Sequence, residues 1–159
     1  MKFLHRFRLA LASLILASCQ SKVCHVTVEN VITTPTSYKI NPARHFHYSA
    51  DSVRLCRIPD TQVLFFNEPG NVYIELSPHE GMTRVSGTKL NNEWQALNDT
   101  VAKYDQLLRD LFGNHSDSLY NQVSAIYDTL QQRILQTADR NRDNALGHFI
   151  SLHFVPQNN

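Results

Sequence analysis

The feature that most constrains this chain is a change of hydrophobic period between residues 86 and 94. Before it, apolar residues alternate with polar ones: Phe46 and Tyr48, then Val72, Ile74 and Leu76. After it they recur at steps of three and four: Trp94, Leu97, Val101, Tyr104, Leu108 and Leu111. A period of two turns one face of a strand to the core, and a period of 3.6 turns one stripe of a helix there. A chain that makes this switch once, strands first and helices after, reads as α+β. The expectation is an N-terminal antiparallel β-sheet, half-sandwich-like, followed by an antiparallel helical hairpin and a short third helix.

Strand candidates run through the first half. Val26 and Val28 with Val31-Ile32 suggest one, and Thr33 to Ser37 breaks it. Phe46 and Tyr48 suggest a second, half-buried strand, with Val53 and Leu55 following Ser49-Ala50-Asp51. Thr61 to Phe66 is apolar and β-branched, Glu68-Pro69-Gly70-Asn71 is a turn by composition, and Val72 to Leu76 alternates until Pro78. Thr83 to Ser86 is a last short strand. In the second half Asn91 is a candidate N-cap, Glu93 suits a first helical turn, and Gly113-Asn114 is a stop. Ser116 or Asp117 can cap a second helix striped by Leu119, Val123, Ile126, Leu130 and Ile134, with Gln122, Gln131, Gln132 and Gln136 on its solvated face. Asp139 to Asn144 is a polar break before a third helix over Asn144 to Val155.

The first residues are an address rather than part of the fold. Lys2, Arg6 and Arg8 precede an apolar run of eight residues, Leu9 to Leu16. Spanning a bilayer takes roughly 20 residues, so this run suits a secretory leader instead. Leu16-Ala17-Ser18-Cys19 resembles the bacterial lipobox, in which the cysteine is acylated and becomes the new N-terminus. Each buried CH₂ of such an anchor contributes about 0.8 kcal/mol. Residue 20 is Gln and no acidic cluster follows Cys19, and for a chain that resembles the lipobox proteins this implies an anchor in the outer membrane facing the periplasm. The expected division is a leader over 1–18, a tether with the first strand or strands over 19–45, a sheet-plus-helix domain over 46–155, and a tail over 156–159. Loss of Lys2, Arg6 and Arg8 with the leader takes the formal charge from +1 to −2. A nucleic-acid partner would need a basic face, so none is expected.

Three runs then stand in order: Glu68-Pro69-Gly70-Asn71; Val85-Ser86-Gly87-Thr88-Lys89-Leu90-Asn91; and Asn141-Arg142-Asp143-Asn144-Ala145-Leu146-Gly147. Together with the lipobox they resemble the domain of unknown function that precedes the thioredoxin-like module in lipid-anchored thiol–disulfide oxidoreductases (AhpC/TSA-like) of Gram-negative bacteria. The resemblance covers residues 46 to 152. It marks Glu68, Pro69, Gly70, Gly87, Thr88, Asn91, Asn144 and Gly147 as structural motif residues. It departs in a shorter opening before Phe46, and the chain ends where the thioredoxin-like module would begin. The Cys-x-x-Cys pair of that module is not among Cys19, Cys24 and Cys56, so the redox activity of the longer relatives does not carry over.

Cys24 and Cys56 read either as a disulfide, which in an oxidising compartment would contribute about 3 kcal/mol, or as two inert thiols, with Cys24 on the tether. Eight histidines invite a metal, yet His148 and His153 point some 140° apart on a helix, and His45 and His47 alone do not make the three or four ligands zinc requires. No metal site and no cofactor are expected. Asp99 with Asp105 and Asp139 with Asp143 show no acid–base spacing. Trp94 and Tyr104 read as core, or as the wall of a ligand groove between sheet and helices.

The expected function is therefore a non-catalytic, lipid-anchored periplasmic binding or accessory module. The alternative is the N-terminal part of a split or truncated oxidoreductase, acting with a thioredoxin-like partner or another envelope protein. Replacing the acylated thiol tests the anchor: Cys19→Ser should move the protein from the detergent phase to the aqueous phase in a cloud-point partition. Unchanged partition of the variant would rule out lipidation at Cys19.

Overall fold

The strands form where β-branched and aromatic residues alternate with polar ones, and the sheet grows from the first of them. The computed structural model describes residues 22–30, 43–77, 83–112 and 119–154. The leader, Cys19, the Val31 to Ser37 segment, Pro78, Gly113-Asn114, the Ser116 and Asp117 caps, Val155 and the tail lie outside them. β1 (Val23–Asn30), β2 (Arg44–Ser49), β5 (Gly70–Leu76) and β6 (Arg84–Ser86) make a four-stranded sheet in the order β2-β1-β5-β6. β3 (Leu55–Arg57) and β4 (Leu64–Phe66) make a separate antiparallel ribbon. Three helices follow: α1 (Lys89–Phe112), α2 (Leu119–Arg140) and α3 (Ala145–His153). The fold is α+β, strands first and helices after.

Three details depart from expectation. The sheet is mixed: β1 runs antiparallel to β2 but parallel to β5, from Cys24 beside Gly70 to Asn30 beside Leu76. Periodicity reports which face a side chain takes and is silent on strand direction, so the parallel pair was invisible in the sequence. β1 also belongs to the interior of the sheet, with Cys24, Val26 and Val28 at most 1% exposed. Val23 to Asn30 is the first strand expected within 19–45, and on it Cys24 is core rather than tether. Finally, the Thr61 to Phe66 strand shrinks to Leu64–Phe66. Thr61 instead closes a turn, donating its hydroxyl to the Ile58 carbonyl at 3.0 Å and accepting from the Val63 N–H at 3.1 Å.

The ribbon is the middle layer. Successive residues of a strand face opposite ways, so Phe65 packs with Val26, Val72 and Ile74 of the sheet while Phe66 packs with Leu90, Trp94, Leu97, Leu146 and Ile150 of the helices. Phe65 and Phe66 are both fully buried. Their partners across the ribbon repeat the division: Cys56 opposite Phe65 sits against the sheet cluster, and Leu55 opposite Phe66 sits against the helical one. Trp94 meets Phe66 and Phe149 edge-on, with ring centroids 6.4 and 5.4 Å apart.

Helices α1 and α2 pack on each other as a hairpin, and its far end extends past the core. At 24 and 22 residues they are about 36 and 33 Å long. The buried residues of α2 are Thr137 and Ala138, in its last turn. Leu119 to Gln132 is only half-buried or exposed, so this length forms a two-helix arm, while Ile134 already packs against the helical core cluster. Among the described residues no helix is long and apolar enough to cross a membrane.

Candidate functional site

Of the motif residues, Glu68, Gly87, Thr88, Asn91, Asn144 and Gly147 stand at two polar junctions built around side-chain amides, while Gly70 opens β5 with φ +125° directly after Pro69. At the first, α1 begins directly after the sheet. Helix α1 starts at Lys89, so Asn91 lies inside its first turn and is not the N-cap; the Thr88 carbonyl accepts the first helical bond, from the Asn92 N–H at 2.9 Å. Asn91 turns its amide inward instead, and no part of it reaches solvent. Its Oδ1 accepts the Phe66 N–H at 2.8 Å, and its Nδ2 donates to the Phe66 carbonyl at 2.8 Å and to Thr88 Oγ1 at 2.7 Å. One turn along, Gln95 Oε1 accepts the Val85 N–H at 2.7 Å. Asn91 and Gln95 thereby do for β4 and β6 what another strand would do, and they satisfy edge groups that burial would otherwise orphan.

Glu68 and Gly87 complete this junction. The Leu90 N–H, one of the free donors of the helix start, gives its hydrogen to Glu68 Oε2 at 2.8 Å, and a carboxylate is favoured there by the helix dipole. Gly87 has φ +111°, and a Cβ on it would land on the Asn71 carbonyl oxygen, so the chain turns from β6 into α1 only with glycine there.

The second junction ties the turn between α2 and α3 to α1. Asn141 is 2% exposed and donates to Glu93 Oε2 at 2.5 Å and to the Thr137 carbonyl at 3.0 Å. Glu93 thus serves a contact far along the chain rather than the first turn of its own helix. Asn144 caps α3, its Oδ1 accepting from the Leu146 and Gly147 N–H groups at 2.9 and 3.2 Å while its Nδ2 donates to Asn141 Oδ1 at 2.8 Å. Gly147 passes so close to the Asn141 carbonyl that a Cβ has no room. These residues carry structure, and their polar atoms are engaged by it.

Between α1 and the edges of β4 and β6 lies an open groove of about 280 Å³, lined by Trp94, Gln95, Asn98 and Asp99 on one side and Leu64 and Val85 on the other. Ligand clefts usually enclose about 300–1,000 Å³, so this one is small for an organic ligand. Its polar rim is occupied as well: Gln95 Nε2 donates to Asp99 Oδ1 at 2.8 Å, and Arg84 pairs with Asp99 Oδ2 at 3.3 Å. Trp94, 8% exposed, is core with one edge on the groove, and Tyr104 is half-buried on the α1 stripe.

Cys24 and Cys56 are free thiols in the same apolar cluster, Cys24 fully buried on β1 and Cys56 half-buried on β3. Burial pushes the Cys24 thiol up to about 11, with the nearby Cys56 and Glu68 charges adding to the effect. The same burial, with the two thiols beside it, raises Tyr48. A thiol held neutral in this way is a poor nucleophile. Among the described residues no three or more His, Cys, Asp and Glu side chains converge as a metal site. His148 and His153 are exposed on α3, and His45 and His47 share the open face of β2. Sequence reasoning missed His25, which the register sets opposite His47.

On the arm, Tyr120 is 83% and Tyr127 55% exposed. Seven residues apart, they lie on one face of α2, beside the Leu119, Val123 and Ile126 stripe. Gln122, Gln131, Gln132 and Gln136 are exposed as expected. Comparisons with protein families, with curated proteins and with solved structures return no match to this chain.

The raised Cys24 value carries a sign. The folded-state value lies above the ordinary 9.0, so its contribution to stability is complete below pH 9 and is lost as pH rises through about 11. Denaturation midpoints of the wild type should fall over that window by more than those of Cys24→Ala. Equal slopes would show that Cys24 is not buried as a neutral thiol.

Proposed function

We propose that this protein is a non-catalytic accessory module, held on the membrane through lipidated Cys19 in the periplasm, that docks a partner protein on its two-helix arm. The observation that supports this reading is the arm itself. Leu119 to Gln132 extends past the core with its apolar stripe only half covered, and Tyr120 and Tyr127 stand open beside it. Large amphipathic rings of this kind are the residues that anchor protein interfaces, because they bury much area at little entropic cost. The small groove favours a protein partner over an organic ligand. Kinship to the thiol–disulfide oxidoreductases belongs to the same proposal: the partner would then be a thioredoxin-like protein supplying the catalytic cysteines in trans.

A photo-crosslinking residue at position 120, in the membrane-anchored protein, should capture one discrete envelope protein. The same residue at position 29, on the sheet, should not capture it, and Tyr127→Glu should abolish the adduct at 120. A thioredoxin-like adduct assigns the module to oxidoreductase assembly, and another envelope protein assigns it to that complex. Identical adducts from both positions, or turnover of a disulfide substrate by the purified protein alone, would overturn the proposal.

A further inference from the structure

The open face of the four-stranded sheet carries a side-chain pair that the arm and the junctions do not use. β1 and β2 are antiparallel with His25 directly opposite His47 and Thr27 opposite His45. All three histidines are exposed. His25 Nδ1 and His47 Nδ1 stand 3.0 Å apart, with ring centroids 4.9 Å apart and the rings nearly perpendicular at 86°. His45, on the same face, engages Thr27 instead, its Nδ1 3.3 Å from Thr27 Oγ1.

Two ring nitrogens this close share either a proton or a cation. We propose that His25 and His47 form a bidentate site for a late first-row divalent cation, Cu²⁺ in first place. With metal–nitrogen bonds of about 2.0–2.1 Å, two nitrogens on one ion lie about 2.8–3.0 Å apart at a right angle and about 3.3–3.4 Å apart at the tetrahedral angle. The observed 3.0 Å lies within about 0.4 Å of both arrangements, and a proton shared between the rings holds them at the same spacing. The general order of affinities, with Cu²⁺ above both Ni²⁺ and Zn²⁺, puts Cu²⁺ first. The scaffold is suited to chelation, because both ligands sit on strands whose register is held by ladder hydrogen bonds and by the buried Cys24, Val26 and Val28 between them. Each imidazole needs only a turn about its soft terminal torsion to aim both lone pairs at one point. Two protein ligands leave the remaining positions to water, so the site exchanges its ion and does not lock it in.

The test is a titration of the full-length protein, purified in detergent, with Cu²⁺, Ni²⁺ and Zn²⁺ salts. One equivalent of Cu²⁺ should bind more tightly than Ni²⁺ or Zn²⁺, with paramagnetic resonance showing two coupled imidazole nitrogens. His25→Ala and His47→Ala should each weaken Cu²⁺ at least about tenfold, because the second ligand of a chelate acts at a high effective concentration. His148→Ala should bind as the wild type does. Cu²⁺ should raise the melting temperature of the wild type and not of the two sheet variants, since an ion bound only by the folded state stabilises it. Equal Cu²⁺ affinity in the wild type and both variants, or a bound ion coupled to fewer than two imidazoles, would overturn the proposal.

Discussion

The amide of Asn91 is the contact on which the two halves of this molecule depend. It sits where no water reaches and pairs with both backbone groups of Phe66. A lost partner for a buried backbone group costs more than an ordinary hydrogen bond contributes, so the arrangement is close to obligatory. Around it the rest falls into place. Phe66 can face the helices only if its own N–H and carbonyl are answered from that side, and Asn91 answers them. Phe65, its neighbour, is then directed to the sheet. The ribbon of β3 and β4 becomes the layer that both clusters share.

The same device recurs along α1, which explains why one helix can hold three separate pieces of chain. Gln95, one turn on, captures the edge of β6, and Glu93 on another face captures Asn141 and through it the start of α3. The apolar stripe of α1 supplies the burial, and the amides supply the register. The ion pair of Asp99 with Arg84 of β6 and the packing of Val101 and Ile134 on the helical cluster are the last of these anchors, and beyond them the two helices continue against each other. Packed body and open arm are thus two stretches of the same pair of helices.

How much of this was legible beforehand follows from what each signal encodes. The switch of period marked the strand-to-helix order, and the stripes from Trp94 to Leu111 and Leu119 to Ile134 marked the helices, because periodicity over five turns is a strong signal. Gly87 and Asn144 were marked only through the resemblance, as structural residues; the left-handed turn at Gly87 and the capping role of Asn144 emerge from the fold. β1 was harder: its neighbours are polar, and the pattern of Val26 and Val28 is too brief to separate a core strand from a tether. Its parallel pairing with β5 is tertiary information with no local trace. Asn91 looked like a cap because caps favour Asn, and only the nearness of Phe66, 25 residues earlier, gave its amide a better use. The His25–His47 pair was hidden for the same reason: 22 residues separate the two rings in sequence, and only the strand register joins them.

The most direct measurement of the central claim is the stability and native-state hydrogen exchange of Asn91→Ala, which removes the amide and leaves the helix propensity intact or improved. If Asn91 joins the layers, unfolding free energy falls by about 2–4 kcal/mol, the cost of two buried backbone groups left unanswered. The Phe66 N–H then loses protection in step with the fold as a whole. A loss below about 0.5 kcal/mol, the range of ordinary surface changes, with Phe66 still protected, would contradict the account and show that packing alone holds the sheet to the helices.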